Sequence, residues 1–168
     1  MPKLPAADAS DDEWDDFTDA RCDELVTYLS EFILGRFTYK SRYVQQQVSS
    51  SFGTVVSRTK QYDLYFRLFA KPDDIYPRDC LVIARIGFKQ QRAGHGQALI
   101  EYLLKLAPKI GYRHIGIECA NAKSAAFAQR LGFTSYDARR HWVGSLRAIR
   151  KAIGEKTIAS AEHESAWG

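Results

Sequence analysis

The stretch that decides the fold is Leu81-Val82-Ile83-Ala84-Arg85-Ile86-Gly87-Phe88, then Gln91-Arg92-Ala93-Gly94-His95-Gly96, then Gln97-Ala98-Leu99-Ile100-Glu101-Tyr102-Leu103-Leu104. The first run is short, rich in branched apolar residues and nearly free of charge, which predicts a buried strand. The third predicts a helix, because Leu99, Leu103, Leu106 and Ile110 recur at helical spacing, with Pro108 and Gly111 to end it. Between them lies a glycine-bearing loop. Glycines remove the Cβ atoms that block close approach, and the free N–H groups of a first helical turn point at a ligand. The stretch therefore reads as a cradle for a phosphorylated cofactor.

Working outward, His114-Ile115-Gly116-Ile117-Glu118-Cys119-Ala120 predicts a second strand, with Ile115, Ile117 and Cys119 on one face and His114, Gly116 and Glu118 on the other. Asn121 is placed to cap a short helix through Leu131, and Gly132 to stop it. Phe133–Tyr136 suits a further strand. This order implies a right-handed crossover and a mixed α/β sheet covered by helices. Upstream, Leu25, Leu29, Phe32 and Ile33 predict a helix from about Asp16 to Leu34, with Gly35 as a left-handed cap. Asp16, Asp19, Asp23 and Glu24 sit near its start, where the helix dipole favours negative charge, so they call for no metal. Strand material follows in Tyr43–Val48, Thr54–Ser57 and Tyr62–Ala70, with turns at Lys71-Pro72-Asp73-Asp74 and Tyr76-Pro77-Arg78-Asp79. Downstream, Trp142, Leu146, Ile149 and Ile153 share helical spacing with Arg147, Arg150 and Lys151 around them, after Arg139 and Arg140. They predict a basic amphipathic helix that packs on the sheet or on a second subunit, which makes a homodimer one candidate assembly. Residues 1–15 read as an acidic flexible tail, 16–154 as a single domain and 155–168 as a C-terminal tail.

The composition fits one soluble domain: 168 residues, 45% hydrophobic and 26% charged, enough for a core. No apolar run is long enough to span a bilayer, and the acidic start lacks the hydrophobic segment of a secretory signal. Cys22, Cys80 and Cys119 are odd in number and widely spaced, which argues against a disulfide framework or a zinc site and for a reducing cytosol. Residues 1–24 hold nine acids against Lys3 and Arg21, a net −7, so with a chain total of +4 the rest carries +11. A basic body attracts polyanions, either a multiply phosphorylated cofactor or nucleic acid. Nucleic acid is the less favoured, because the aromatic and basic interleaving of single-strand binders is absent.

Two motifs stand in a fixed order: [Gln/Arg]-x-x-Gly-x-[Gly/Ala], read as Gln91, Gly94 and Gly96, and Asn-x₉-Leu-Gly-Phe, read as Asn121 through Leu131-Gly132-Phe133. On these residues the chain, over roughly Leu81 to Tyr136, resembles the GNAT superfamily of acyl-CoA-dependent N-acyltransferases. The resemblance implies a mostly antiparallel sheet with a splayed parallel strand pair, flanked by helices. It implies that the coenzyme A pyrophosphate rests on the loop Gln91, Arg92, Ala93, Gly94, His95 and Gly96. It further implies that pantetheine runs beside Ile86, Gly87 and Phe88, and that Asn121 touches the cofactor. Competing phosphate motifs fit less well. No Gly-Lys-Ser/Thr ends a P-loop, and Leu99 occupies the third glycine of a dinucleotide fingerprint.

Acyl transfer needs a neutral amine, a polarised thioester carbonyl and an exit for the thiolate. A lysine-type amine titrates near ~10.4, so a base assists at neutral pH. Glu118 is the best-placed candidate base, with an ion pair to Arg85 or another cation as the equal structural alternative, and His114 is a weaker candidate. A backbone N–H near Phe88 would polarise the carbonyl. Many family members carry an acidic tyrosine seven residues after the asparagine; here that position is Ala128. Ser124 and Tyr136 are weak substitutes, and Cys119 also lies near. The expectation is thus a cytoplasmic N-acetyltransferase with acetyl-CoA or coenzyme A as co-substrate, no metal, and a small-molecule or protein amine as acceptor. The alternatives are a coenzyme A-binding module without turnover and, third, a nucleic-acid-binding protein.

Overall fold

The computed structural model describes residues 2–37, 47–69, 75–91, 93–119, 121–136 and 140–154. Its strands are β1 (Val48–Ser51), β2 (Thr54–Arg58), β3 (Tyr62–Arg67), β4 (Cys80–Phe88), β5 (His114–Glu118), β6 (Thr134–Tyr136) and β7 (His141–Ser145). They form one seven-stranded sheet in the order β1-β2-β3-β4-β5-β7-β6. Every pairing is antiparallel except that of β4 with β5. The helices are α1 (Asp11–Arg36), α2 (His95–Ile110), α3 (Ala122–Arg130) and α4, described over 146–154. The mixed α/β architecture with a splayed parallel pair is the one the sequence predicts.

Period-two alternation sorts the sheet into two faces. Leu64 and Phe66 of β3, Leu81 and Ile83 of β4, Ile115 and Ile117 of β5 and Trp142 of β7 share one core with apolar residues of all these helices. Leu25, Leu29 and Ile33 come from α1, Leu99, Leu103 and Ile110 from α2, Ala125 and Ala128 from α3, and Ile149 from α4. The opposite face carries Arg67, Val82, Gly116 and Val143 in one row across β3, β4, β5 and β7. Tyr76, Cys80 and Val82 form a separate small cluster there, with Val143 against it.

Several boundaries differ from the sequence reading. α1 starts at Asp11, not Asp16, because Ser10 accepts a hydrogen bond from the Glu13 N–H at 3.2 Å and Trp14 extends the buried stripe by one turn. The Trp14 indole N–H donates to the Ala6 carbonyl, and Leu4 packs on the core. Residues 2–15 are thus tied to the body. The helix also runs through Gly35 to Arg36, where Phe37 is its C-cap. Pro108 does not end α2, which closes on Gly111 in a left-handed conformation. A proline at 108 cannot donate to the Leu104 carbonyl; Arg150 of α4 donates to it instead, at 2.8 Å.

A further correction concerns Trp142. Its four-residue offset from Leu146 mimics a helical repeat, yet it lies in β7, where burial alternates through Trp142 and Gly144. The helix begins only after Ser145, whose hydroxyl accepts from the Ala148 N–H at 3.0 Å. β7 inserts between β5 and β6, and Phe133 precedes β6 rather than opening it. Tyr43–Gln46, Ala70, the 71–74 turn, Arg139 and the tail 155–168 lie outside the described residues.

α3 and α4 meet at Gly132, whose φ is +87° and whose added Cβ would stand 2.8 Å from Ala152 Cβ and 3.0 Å from the Ala148 carbonyl oxygen. A backbone oxygen cannot swing aside, so Gly132→Ala should destabilise the fold by about 2 kcal/mol through strain and overpacking. Chemical denaturation at equilibrium measures it; an unchanged midpoint would show that this contact is slack.

Candidate active site at the fork of the parallel strands

β4 and β5 are in register over only four residue pairs, Cys80–His114 to Ile83–Ile117. β4 then continues to Phe88 paired with β3 alone. One extra residue, Ala84, stands in β4 where Ile83 faces Phe66 and Arg85 faces Tyr65, a bulge that bends the strand at the point of parting. The Lys89 N–H donates to the Gln61 carbonyl, so the ladder turns the main-chain groups of Gly87 to β3 and those of Ile86 and Phe88 to the gap. Ile86 and Phe88 thus offer backbone to the fork, and Gly87 does not.

The loop from β4 ends on an uncapped helix. Gly94 takes φ +77° at the N-cap of α2, and no side chain bonds the first-turn N–H groups. Such a terminus favours an anion. The loop is held from two sides. Arg36, at the end of α1, donates through Nε to His95 Nδ1 at 2.8 Å and through Nη2 to the Ala93 carbonyl at 3.1 Å. From α3, Lys123 Nζ donates to Gln91 Oε1. The His95 ring packs on Phe37 and Phe88, with centroids 4.9 and 5.3 Å away. Because guanidinium has no acceptor, His95 Nδ1 must accept, which fixes the proton on Nε2. Gly96 has a packing reason: an added Cβ would meet the Phe127 ring at 3.1 Å.

The second half of the site lies on the face away from the core. Glu118, at the end of β5, forms an ion pair with Arg67 of β3, whereas Arg85 pairs with Asp63. The cation the sequence left open is therefore Arg67. Directly opposite Glu118 on β7 is His141, and opposite His141 on β6 is Tyr136. The buried Tyr76 ring crosses Gly116, where an added Cβ would stand 2.6 Å from it, and its hydroxyl lies 3.0 Å from His141 Nδ1. Burial first, then the charge of Glu118, pushes the Tyr76 phenol well up, so it stays protonated.

Of the other residues the sequence nominates, Asn121 caps α3 by accepting from the Ser124 N–H at 2.9 Å, and the Ser124 hydroxyl donates to the Asn121 carbonyl. Ser124 is thus engaged in a capping box at the mouth of the fork. Tyr136 is half-exposed, one strand farther out than His141. His114 faces Asp79 at 3.2 Å, four residues below Glu118. Cys119 is buried, which raises its thiol pKa, and Ala128 points into the core. Arg92 lies outside the described residues. Sequence reading missed Arg36, Arg67, Tyr76 and His141 as site residues. All four lie outside both motifs, and the Tyr76-Pro77 turn gives no sign of what its ring covers. No group of three metal-ligating side chains occurs among the described residues.

Residues 62–133 match the model of the family described as "Acetyltransferase (GNAT) family". The matched segment holds β3, the fork, the loop and the Leu131-Gly132-Phe133 stop. No curated protein matches the sequence. Similar solved structures include a KacTA–DNA complex at 15% identity and TM-score 0.46, over 74% of this chain and 84% of that one. Tetrahymena GCN5 is similar at 13% identity and TM-score 0.42, over 74% and 88%. A probable GNAT-family acetyltransferase from Chromobacterium violaceum is similar at 16% identity and TM-score 0.43, over 76% and 80%.

The latch on the loop has a titration signature. Burial first, and Arg36 second, lower the His95 pKa below its ordinary value. A histidine held neutral in the fold and free to protonate when unfolded weakens the fold as pH falls below ~6.5. In a nitrogen-15 histidine spectrum His95 should carry its proton on Nε2 and titrate low, and Arg36→Gln should move it upward. Ordinary titration in the wild type would mean that the latch does not hold in solution.

Proposed function

We propose that the protein is an N-acetyltransferase that uses acetyl-CoA as donor and a primary amine as acceptor. The observation that carries this reading is the fork: two parallel strands part at Ile83 and Ile117 beside an uncapped helix N-terminus, with a carboxylate at the apex. The gap accommodates an extended arm that takes hydrogen bonds from strand backbone, and the helix terminus takes the phosphates. In this reading the pyrophosphate lies on Gln91, Arg92, Ala93, Gly94, His95 and Gly96, pantetheine bonds the main chain of Ile86 and Phe88, and Asn121 closes the mouth. Glu118 faces the acceptor amine.

A second reading, coenzyme A binding without turnover, is favoured by Ala128, whose position in the core supplies no proton donor. Calorimetry with acetyl-CoA and a thiol-release assay over an amine panel separate the two. Acetyl transfer predicts micromolar to millimolar binding, a rise in melting temperature from preferential binding to the folded state, and thiol release. It also predicts that Glu118→Gln lowers kcat by about 10-fold or more while acetyl-CoA still binds. Binding without thiol release for any amine selects the second reading, and absence of binding removes both.

A further inference from the structure

The loop after β4 is held by a residue from the far end of α1. Arg36 stands in the last turn of that helix, where a cation suits the dipole. α1 is docked on α2 by the Phe32 and Tyr102 rings, 5.4 Å apart, and by the Tyr102 hydroxyl, which donates to the Tyr28 carbonyl at 2.9 Å. Packing therefore sets the reach of Arg36 to the start of α2. Its guanidinium bonds the residue on each side of Gly94: Nη2 donates to the Ala93 carbonyl at 3.1 Å, and Nε to His95 Nδ1 at 2.8 Å. The two bonds thus span the residue that turns the loop into the helix at φ +77°. A trans peptide points its C=O and its N–H to opposite sides. With the Ala93 carbonyl turned to Arg36, the Gly94 N–H is turned away from it, and the guanidinium lies behind that amide. His95 accepts the bond only while neutral, the state that burial and Arg36 itself both favour.

Resting on the reading of this loop as the seat of the coenzyme A pyrophosphate, we propose that Arg36 is a positioning residue for the cofactor, presetting the Ala93-Gly94-His95 backbone so that its amides face the diphosphate before it arrives. Glycine has more conformational freedom to lose on ordering than any other residue. A loop already fixed at Gly94 binds its anion without that cost, which is the gain from preorganisation. The planar guanidinium can make both bonds at once, whereas the ammonium of a lysine is a mobile point charge. His95 adds to the effect, because its ring packs on Phe37 and Phe88. One side chain thereby ties the start of α2 to the end of β4 and to the residue that follows α1. The assignment gives α1, which lies outside both sequence motifs, a part in binding the donor.

Calorimetry with coenzyme A on the full-length protein tests it, with melting temperature read alongside. The variants are Arg36→Met, Arg36→Lys, His95→Phe and the double variant Arg36→Met with His95→Phe. Arg36→Met keeps the apolar stem and removes the donors, and His95→Phe keeps a ring against Phe37 and Phe88 and removes the acceptor. Arg36→Met should raise the Kd for coenzyme A about 10-fold, and His95→Phe should raise it less, since the bond to Ala93 survives. The double variant should bind no worse than Arg36→Met, because both changes break one latch. Arg36→Lys keeps the charge without the fork and should recover little of the loss. Where turnover is followed, KM for acetyl-CoA should rise with Kd while kcat stays within about twofold. Wild-type affinity in Arg36→Met, full recovery in Arg36→Lys, or losses that multiply in the double variant would overturn the proposal. A wild type that binds no coenzyme A would instead overturn the reading of the loop on which it stands.

Discussion

Parallel pairing between β4 and β5 ends after Ile83 and Ile117, and the rest of the structure is arranged about that limit. A parallel pair requires a crossover, which α2 supplies from the core side. Its N-terminus must then start near the upper end of β4, beside the gap. Beyond the bulge at Ala84, β4 stays paired with β3 and no longer pairs with β5. The backbone of Ile86 and Phe88 is left facing a space rather than a strand. Buried main-chain groups without partners are costly, so such an edge persists where water or a ligand satisfies it. The opening, the helix terminus and the unpaired edge are three consequences of one short ladder.

The sheet is also two-sided in its chemistry. One face meets all the described helices and is apolar; the other carries Arg67, Glu118, His141 and Tyr76 near the fork. The Arg67–Glu118 pair is about one third exposed on each side, at 36% and 30%, a setting in which ion pairs stabilise a fold by little. Its value is placement, since it holds a carboxylate and a guanidinium at the apex on the side opposite the helices. Tyr76 sets the floor of the same region by covering Gly116 between Val82 and Val143.

The central elements were legible in the sequence because their signals are local. Leu81 to Ile83, the periodic Leu99, Leu103, Leu106 and Ile110, and the Asn121 cap with Gly132 each report on their own element. Trp142 was not legible, because it stands four residues before Leu146, a helical spacing, and five alternating residues in β7 are too few to outweigh that signal. Trp14 was hidden among acids, although the four-residue steps from Trp14 to Thr18, Cys22 and onward continue the stripe of α1. The site was legible only where it rests on motifs. Arg67, Tyr76 and His141 come from separate parts of the chain and meet through strand order and register. No spacing in the sequence encodes a relation between β3, the 75–79 segment and β7.

The glycines around the fork answer to different constraints. Gly94, Gly96 and Gly116 all lie near the fork, and each could be taken as room for a ligand. Only Gly94 is required by backbone conformation, at φ +77°, where it turns the loop into α2. Gly96 admits Phe127, which seats α3 against the start of α2. Gly116 admits Tyr76 and, through it, the hydroxyl at His141. The two glycines that lack a positive φ therefore serve side chains of the protein itself, and through them fix the two walls of the site. A side chain at either position would first displace a wall, and only through it the ligand.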